Sequence, residues 1–276
     1  MKKGKIAKII ILAGQSNAVG VGHVKHLKDH FSAQKISEFE KGYENVLINF
    51  FSHDFGSHGF IPTTIGQTEI NKHTVGPEVG IAEKLTEDFP GEKFFIVKYA
   101  IGGTCMYREW LSKTSVKEEK LKNDGEIAYG SCYNGFVKLL KKSIKLLKKQ
   151  GYTPEIRALC WMQGESDAEN ENTMKEYPRR FDNFIKDFEK EFKKYFNNYV
   201  LADGGISDMW QFSEQMNDFK LQYAKTHKNG AYVDTLAAKL TTKNEPTPEP
   251  DVVHYDSDSI IKLGNLFEQA IKENLK

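Results

Sequence analysis

A chain of 276 residues that is 39% hydrophobic, 12% aromatic and 28% charged carries enough apolar material for a sizeable core, which excludes disordered and fibrous classes. Thirty-nine basic against 38 acidic residues leave a net charge of +1, too even a balance to attract a phosphate backbone or an anionic lipid surface, so nucleic acid and membrane are excluded as partners. The length suits one α/β domain over residues 1–276, and Cys105, Cys132 and Cys160, odd in number and without a CxxC pair, read as small core residues in a reducing compartment.

The chain starts MKKGKIAKIIILAG, where lysine breaks an apolar run too short for the hydrophobic region of a secretory signal. That run reads as a first β-strand over 5–13, and a cytoplasmic location is the expectation, although a chain trimmed of a natural signal would read the same way. Further strands are expected at 45–51, 93–100, 155–162, 198–203 and 230–234, where branched and aromatic residues cluster. Helices are expected near 77–88, 133–149, 174–195, 211–227 and 258–274. This alternation implies a mainly parallel sheet covered on both faces. FVKLLKKSIKLLKKQG is basic and amphipathic, but Phe136, Leu140, Ile144 and Leu147 form the stripe of a helix packed on a sheet. NEPTPEPD at 244–251 reads as a stiffened loop just before a histidine.

AGQSNAVGVG places Ser16 just beyond the C-terminal end of the first strand, where open parallel sheets hold their ligands. The GxxxxGK[ST] phosphate loop is absent, and GVGHVK is no dinucleotide fingerprint. A helix-capping serine is the plain alternative. AIGGTCM follows the third strand, and Gly102 and Gly103 there allow backbone N–H groups to approach a ligand. WMQGESDAEN follows the fourth and brings Gln163, Gly164, Glu165 and Asp167; PDVVHYD sets Asp251 three residues before His254. A serine alcohol becomes a useful nucleophile when an imidazole accepts its proton, and a carboxylate can hold that imidazole in place. His254 and Asp251 fit those roles, while a glycine N–H, the Ser16 N–H and the Gln163 amide are suitable oxyanion donors.

The segments GQSNA, GGT, WMQGESDA and DVVH resemble, in order and over residues 14–254, the blocks of SGNH-type hydrolases. The resemblance is to the carbohydrate-esterase group that includes acetylxylan esterases, carbohydrate esterase family 6 and the sialate O-acetylesterase-like domain. It implies a flavodoxin-like three-layer α/β/α sandwich with a mainly parallel central sheet. By position, it assigns Ser16 as nucleophile, His254 as base, Asp251 as the triad acid, and Ser16, Gly102 or Gly103 and Gln163 as oxyanion groups.

Gln15 and Asn17 flank the serine and are expected to scaffold the loop or touch a sugar hydroxyl; Glu165 and Asp167 are expected to brace the site or bind substrate. A glycosidase carboxylate pair would leave Ser16 and His254 without a role. Trp110 is either a core residue or a platform for a sugar ring, beside Tyr107 and Glu109. His23, His26 and His30 could share a helix face and bind zinc, but a solvated face is the simpler account, and the chemistry needs neither metal nor other cofactor. The expected activity is removal of acetyl from an acetylated saccharide or polysaccharide end, such as acetylated xylan or a xylo-oligosaccharide. An SGNH lipase or thioesterase, whose acyl channel would need more than Val19, Val21 and Val24, and a non-catalytic sugar-binding module are the alternatives. Oligomeric state has no signal in the sequence.

Overall fold

A parallel sheet covered on both faces needs strands that are apolar on both sides, and the six expected runs form such a sheet. The computed structural model describes residues 5–52, 55–68, 73–122, 128–243, 245 and 251–274. Its main strands are β1 (Ile6–Gly14), β2 (Tyr43–Ser52), β3 (Phe94–Ala100), β4 (Thr153–Met162), β5 (Phe196–Gly204) and β6 (Gly230–Val233). All residues of β3 are buried, as its near-continuous apolar run requires. The strands lie side by side in the order 2-3-1-4-5-6, each parallel to its neighbours. With β3 set aside, the other five follow the flavodoxin order; β3 is intercalated between the first and second strands. Two short strands, Phe55–Gly56 and Ile61–Thr63, pair antiparallel with β2. The connections leaving β1 and β4 run toward β2 and β5, in opposite directions, so a crevice opens beyond the C-terminal ends of β1 and β4.

The helices are α1 (Ser16–Val19), α2 (Ala33–Lys41), α3 (Pro77–Asp88), α4 (Lys113–Glu118), α5 (Ser131–Lys149), α6 (Glu171–Phe192), α7 (Ser213–Thr226) and α8 (Ser257–Asn274). Alternation along β4 turns Trp161 toward α6, where its ring lies 4.7 Å from that of Phe184, and leaves Cys160 on the face covered by α8. Helices α5, α6 and α7 make one layer; α1, α3 and α8 make the other. Phe136, Leu140, Ile144 and Leu147 are all buried, so the basic amphipathic segment is a sheet-covering helix. Tyr177, Phe181, Phe184 and Phe188 recur on one face of α6 and are fully buried; each such aromatic contributes roughly 2 to 3 kcal/mol of transfer free energy. Helices α3 and α8 cross very closely: a Cβ on Gly80 would lie 2.0 Å from Ile261 O, and one on Gly264 2.0 Å from Pro77 O.

The three cysteines are buried and free. The expected strands and helices are all present, with ends shifted by up to a few residues; α1, α2, α4 and the two short antiparallel strands are additional. Among the described residues no helix is long and apolar enough to cross a membrane. Of the proline-rich stretch at 244–251, only Glu245 and Asp251 lie within the described residues.

Candidate active site

The turn from β1 into α1 is built around a glycine. Gly14 has φ +145°, and a Cβ there would lie 1.9 Å from Met162 O, so no other residue fits where β1 passes β4. The next peptide is clasped on both sides, with Gln15 N donating to Met162 O at 2.9 Å and Ile101 N to Gly14 O at 3.2 Å. Ser16 is then the first residue of α1, and Gln15 is its N-cap without a side-chain capping bond, so the helix-capping role does not describe this serine. Ser16 is 9% exposed, and neither its hydroxyl nor its N–H makes a hydrogen bond among the described residues.

His254 Nδ1 lies 2.7 Å from Asp251 Oδ2, while Asp251 Oδ1 accepts from the N–H groups of Val253 at 3.0 Å and His254 at 3.1 Å. Burial pushes the Asp251 pKa upward, but the His254 bond and charge and the two backbone donors outweigh it, holding the carboxyl below its ordinary range. The imidazole is thus fixed through Nδ1, leaving Nε2 for chemistry. Asn17 connects this loop to the serine: its Oδ1 accepts from Tyr255 N at 3.1 Å, and its Nδ2 donates to Glu165 Oε1 at 3.0 Å. Ser16 and His254 make no direct hydrogen bond; they are held on neighbouring segments through Asn17 and Tyr255. A small cavity of about 20 Å³, room for a single water, lies beside the imidazole and is lined by Val21, His23, Glu245, Asp251, His254, Tyr255 and Asp256.

The glycine loop after β3 closes the third side. Gly103 has φ +67°, and the N–H groups of Gly102 and Gly103 have no hydrogen-bond partner among the described residues. Gln163 is fully buried and its Nε2 faces inward, 2.7 Å from Asp167 Oδ2 and 3.1 Å from Gln15 Oε1. Gln15 binds the 163–166 loop in either amide orientation: its Oε1 accepts from Ser166 N at 3.3 Å, and turned end for end the amide donates to Glu165 Oε2 at 3.1 Å. Asp167 accepts from Met106 N at 2.8 Å; burial is the dominant influence and raises its pKa to about 7 against these donors. Burial likewise raises that of Glu165 against the Asn17 bond. Glu165 and Asp167 are thus buried and tied by hydrogen bonds to the serine turn and to the segment after β3, with Gln15 and Asn17 among the links.

Of the two readings of Trp110, the core residue is the one that its surroundings fit. Trp110 is fully buried, donates to Thr104 Oγ1 at 2.9 Å and packs edge-on against Trp161 with ring centroids 4.9 Å apart. The loop after β3 folds back into the α5–α6 layer, so this ring cannot reach a sugar. The three histidines do not share one solvated face: His23 lines the cavity, His26 is buried and meets the His23 ring edge-on at 6.0 Å, and His30 alone is exposed. No group of three or more His, Cys, Asp or Glu side chains suited to a metal occurs among the described residues.

Two buried lysines beneath the crevice carry no sequence expectation. Lys98 on β3 pairs with Glu78, and Lys220 on α7 pairs with Asp203 at the end of β5. The available signal for the first is a lone lysine inside the apolar run FFIVKYA.

Residues 6–273 match the protein-family profile described as "Carbohydrate esterase, sialic acid-specific acetylesterase". The chain belongs to this family. Among solved structures, a protein from Arabidopsis thaliana aligns with 98% of this chain and 100% of its own at 21% identity, with a TM-score of 0.67. NanS aligns over 99% and 98% at 16% identity and 0.67, and a carbohydrate acetylesterase from Xanthomonas citri over 97% and 56% at 12% identity and 0.56. At these identities the likeness is one of fold. No curated protein sequence matches the chain. Membership of the carbohydrate acetylesterase family makes carboxylic ester hydrolysis the activity class, and the family's SGNH-type fold agrees with the layered, mainly parallel sheet.

Proposed function

We propose that this protein is a serine esterase that removes O-acetyl groups from a carbohydrate through Ser16, His254 and Asp251. Ser16 Oγ attacks the acetyl carbonyl as His254 Nε2 takes its proton; the tetrahedral intermediate collapses, and the sugar oxygen leaves with that proton. Water, deprotonated by the same imidazole, then attacks the acetyl-enzyme and releases acetate. The unpartnered N–H groups of Ser16 and of Gly102 or Gly103 are assigned to the oxyanion. Gln163 is assigned a bracing role, because it is fully buried and its Nε2 already donates to Asp167 Oδ2 and Thr104 O.

The observation that supports this reading best is the Asn17 bridge, which binds the segment after the serine to the segment after the histidine. The substrate is expected to be an acetylated saccharide; acetylated xylan, acetylated xylo-oligosaccharides and O-acetyl sialic acid are the compounds to compare by acetate release. A lipase or thioesterase role has less support, because Val19 is fully buried beneath the site and of the three candidate valines only Val21 lines the cavity. Faster turnover of p-nitrophenyl acetate than of longer acyl esters separates the two, and no turnover of either would leave a sugar-binding module.

A further inference from the structure

Lysine is rarely buried without a partner, and Lys98 is 1% exposed in the middle of β3, opposite Leu12 of β1 and Phe50 of β2. Its Nζ makes three hydrogen bonds, the full capacity of an ammonium: to Val19 O at 2.7 Å, Glu78 Oε2 at 2.7 Å and Gln67 O at 3.0 Å. The first of these acceptors matters for chemistry. Val19 ends α1, the one-turn helix whose first residue is Ser16.

A helix of a single turn has almost no internal hydrogen bonding to hold it. In α1, Gly20 N donates back to Ser16 O at 2.9 Å, and Ala18 and Val19 donate to Gln15 O at 2.8 and 2.9 Å. The Val19 carbonyl is a helix-end acceptor in a dry environment and needs an outside donor. Lys98 supplies it, and the same ammonium grips Glu78 in the first turn of α3 and the backbone of the 64–68 loop. The fit leaves little slack: a Cβ at Gly20 would lie 2.0 Å from the Cα of Gly76, and one at Gly76 would lie 2.4 Å from Glu78 Oε2.

We infer that Lys98 is a positioning residue for Ser16, holding the α1 turn at its C-terminal carbonyl while Glu78 holds the lysine. The inference rests on Ser16 being the nucleophile. Glu78 supports the ammonium but does not touch α1 through any hydrogen bond among the described residues, so the two partners are not equivalent.

Lys98→Met alone would leave a buried, unpaired carboxylate and endanger folding. The informative variants are Glu78→Gln, which keeps the lysine and offers it an amide oxygen, and the double variant Lys98→Met/Glu78→Gln, which buries no charge. Each is assayed on p-nitrophenyl acetate, with active sites counted by a serine-directed phosphonate and Ser16→Ala as control. Glu78→Gln should keep kcat per titrated site within about threefold, whereas the double variant should lose about 10- to 100-fold in kcat with KM nearly unchanged, the effect of misplacing one reacting group by up to about 1 Å. Wild-type kcat per titrated site in the double variant, with Ser16→Ala inactive, overturns the inference while sparing the nucleophile assignment. A loss in Glu78→Gln as large as in the double variant also overturns it, since the carboxylate rather than the lysine contact would then govern the turn. If Ser16→Ala is active, the nucleophile assignment itself fails and Lys98 loses its role with it.

Discussion

The N–H of Tyr255 donates to Oδ1 of Asn17 at 3.1 Å, across 238 positions of sequence. One end of this bond adjoins His254 and the other adjoins Ser16, so the relative placement of the proposed base and nucleophile runs through one buried amide whose other end is held by Glu165. Asn17→Ala should lower kcat by about 10- to 100-fold, because a small displacement between reacting groups is expensive. The decisive comparison is kcat against melting temperature. A lowered melting temperature with unchanged kcat would mean that the bridge only stabilises the fold.

Gln163 gives a second test, since an oxyanion donor and a brace fail differently. As a brace, its truncation leaves buried Asp167 without its side-chain donor, which costs about 1 to 3 kcal/mol of stability. Gln163→Ala should melt several degrees lower and lose less than about 100-fold in kcat, the lower bound for removal of an oxyanion donor. A loss of 100- to 1,000-fold at unchanged melting temperature would return Gln163 to the oxyanion hole.

Asp167 predicts a pH dependence of stability. Its pKa in the folded protein is about 7, raised by burial, against about 3.9 for an unfolded aspartate. Between those values the folded state binds the proton that the unfolded state has released, so this group's contribution to stability declines as pH rises through that window and levels off above about 7. Glu268, also raised by burial to about 7, acts in the same direction, so wild type alone cannot isolate Asp167. Asp167→Asn should show a shallower fall in melting temperature from pH 5 to pH 8 than the wild type, as followed by circular dichroism. Parallel curves would remove Asp167 from this account.

The sheet and its covering helices were legible because their signals are long: runs such as KIIILA and the four-residue spacings of α5 leave few choices of structure. Helix α2 was not, because AQKISEFEK offers little apolar periodicity and buries only Phe39. The turn carrying Ser16 was legible as a motif at the end of β1, the Asp251–His254 pair as a three-residue spacing in PDVVHYD, and Glu165 and Asp167 as carboxylates in the segment after β4. Burial of Trp110 was not, since it depends on how the loop after β3 folds back, and an aromatic in MYREW reads equally as core or platform. Lys98 is the opposite case. Its run is plainly a buried strand, but the partners that make a buried ammonium tolerable come from α1, α3 and a loop near residue 67, none adjacent to it in sequence.

Acetate release by Ser16→Ala, compared with wild type on the same acetylated substrate, tests the central claim most directly. A triad that loses its nucleophile loses nearly all of its covalent catalysis, so activity should fall by several orders of magnitude while the melting temperature stays close to that of the wild type. Residual activity above about a tenth of wild type, in a folded variant, would contradict the assignment of Ser16 and with it the mechanism proposed here.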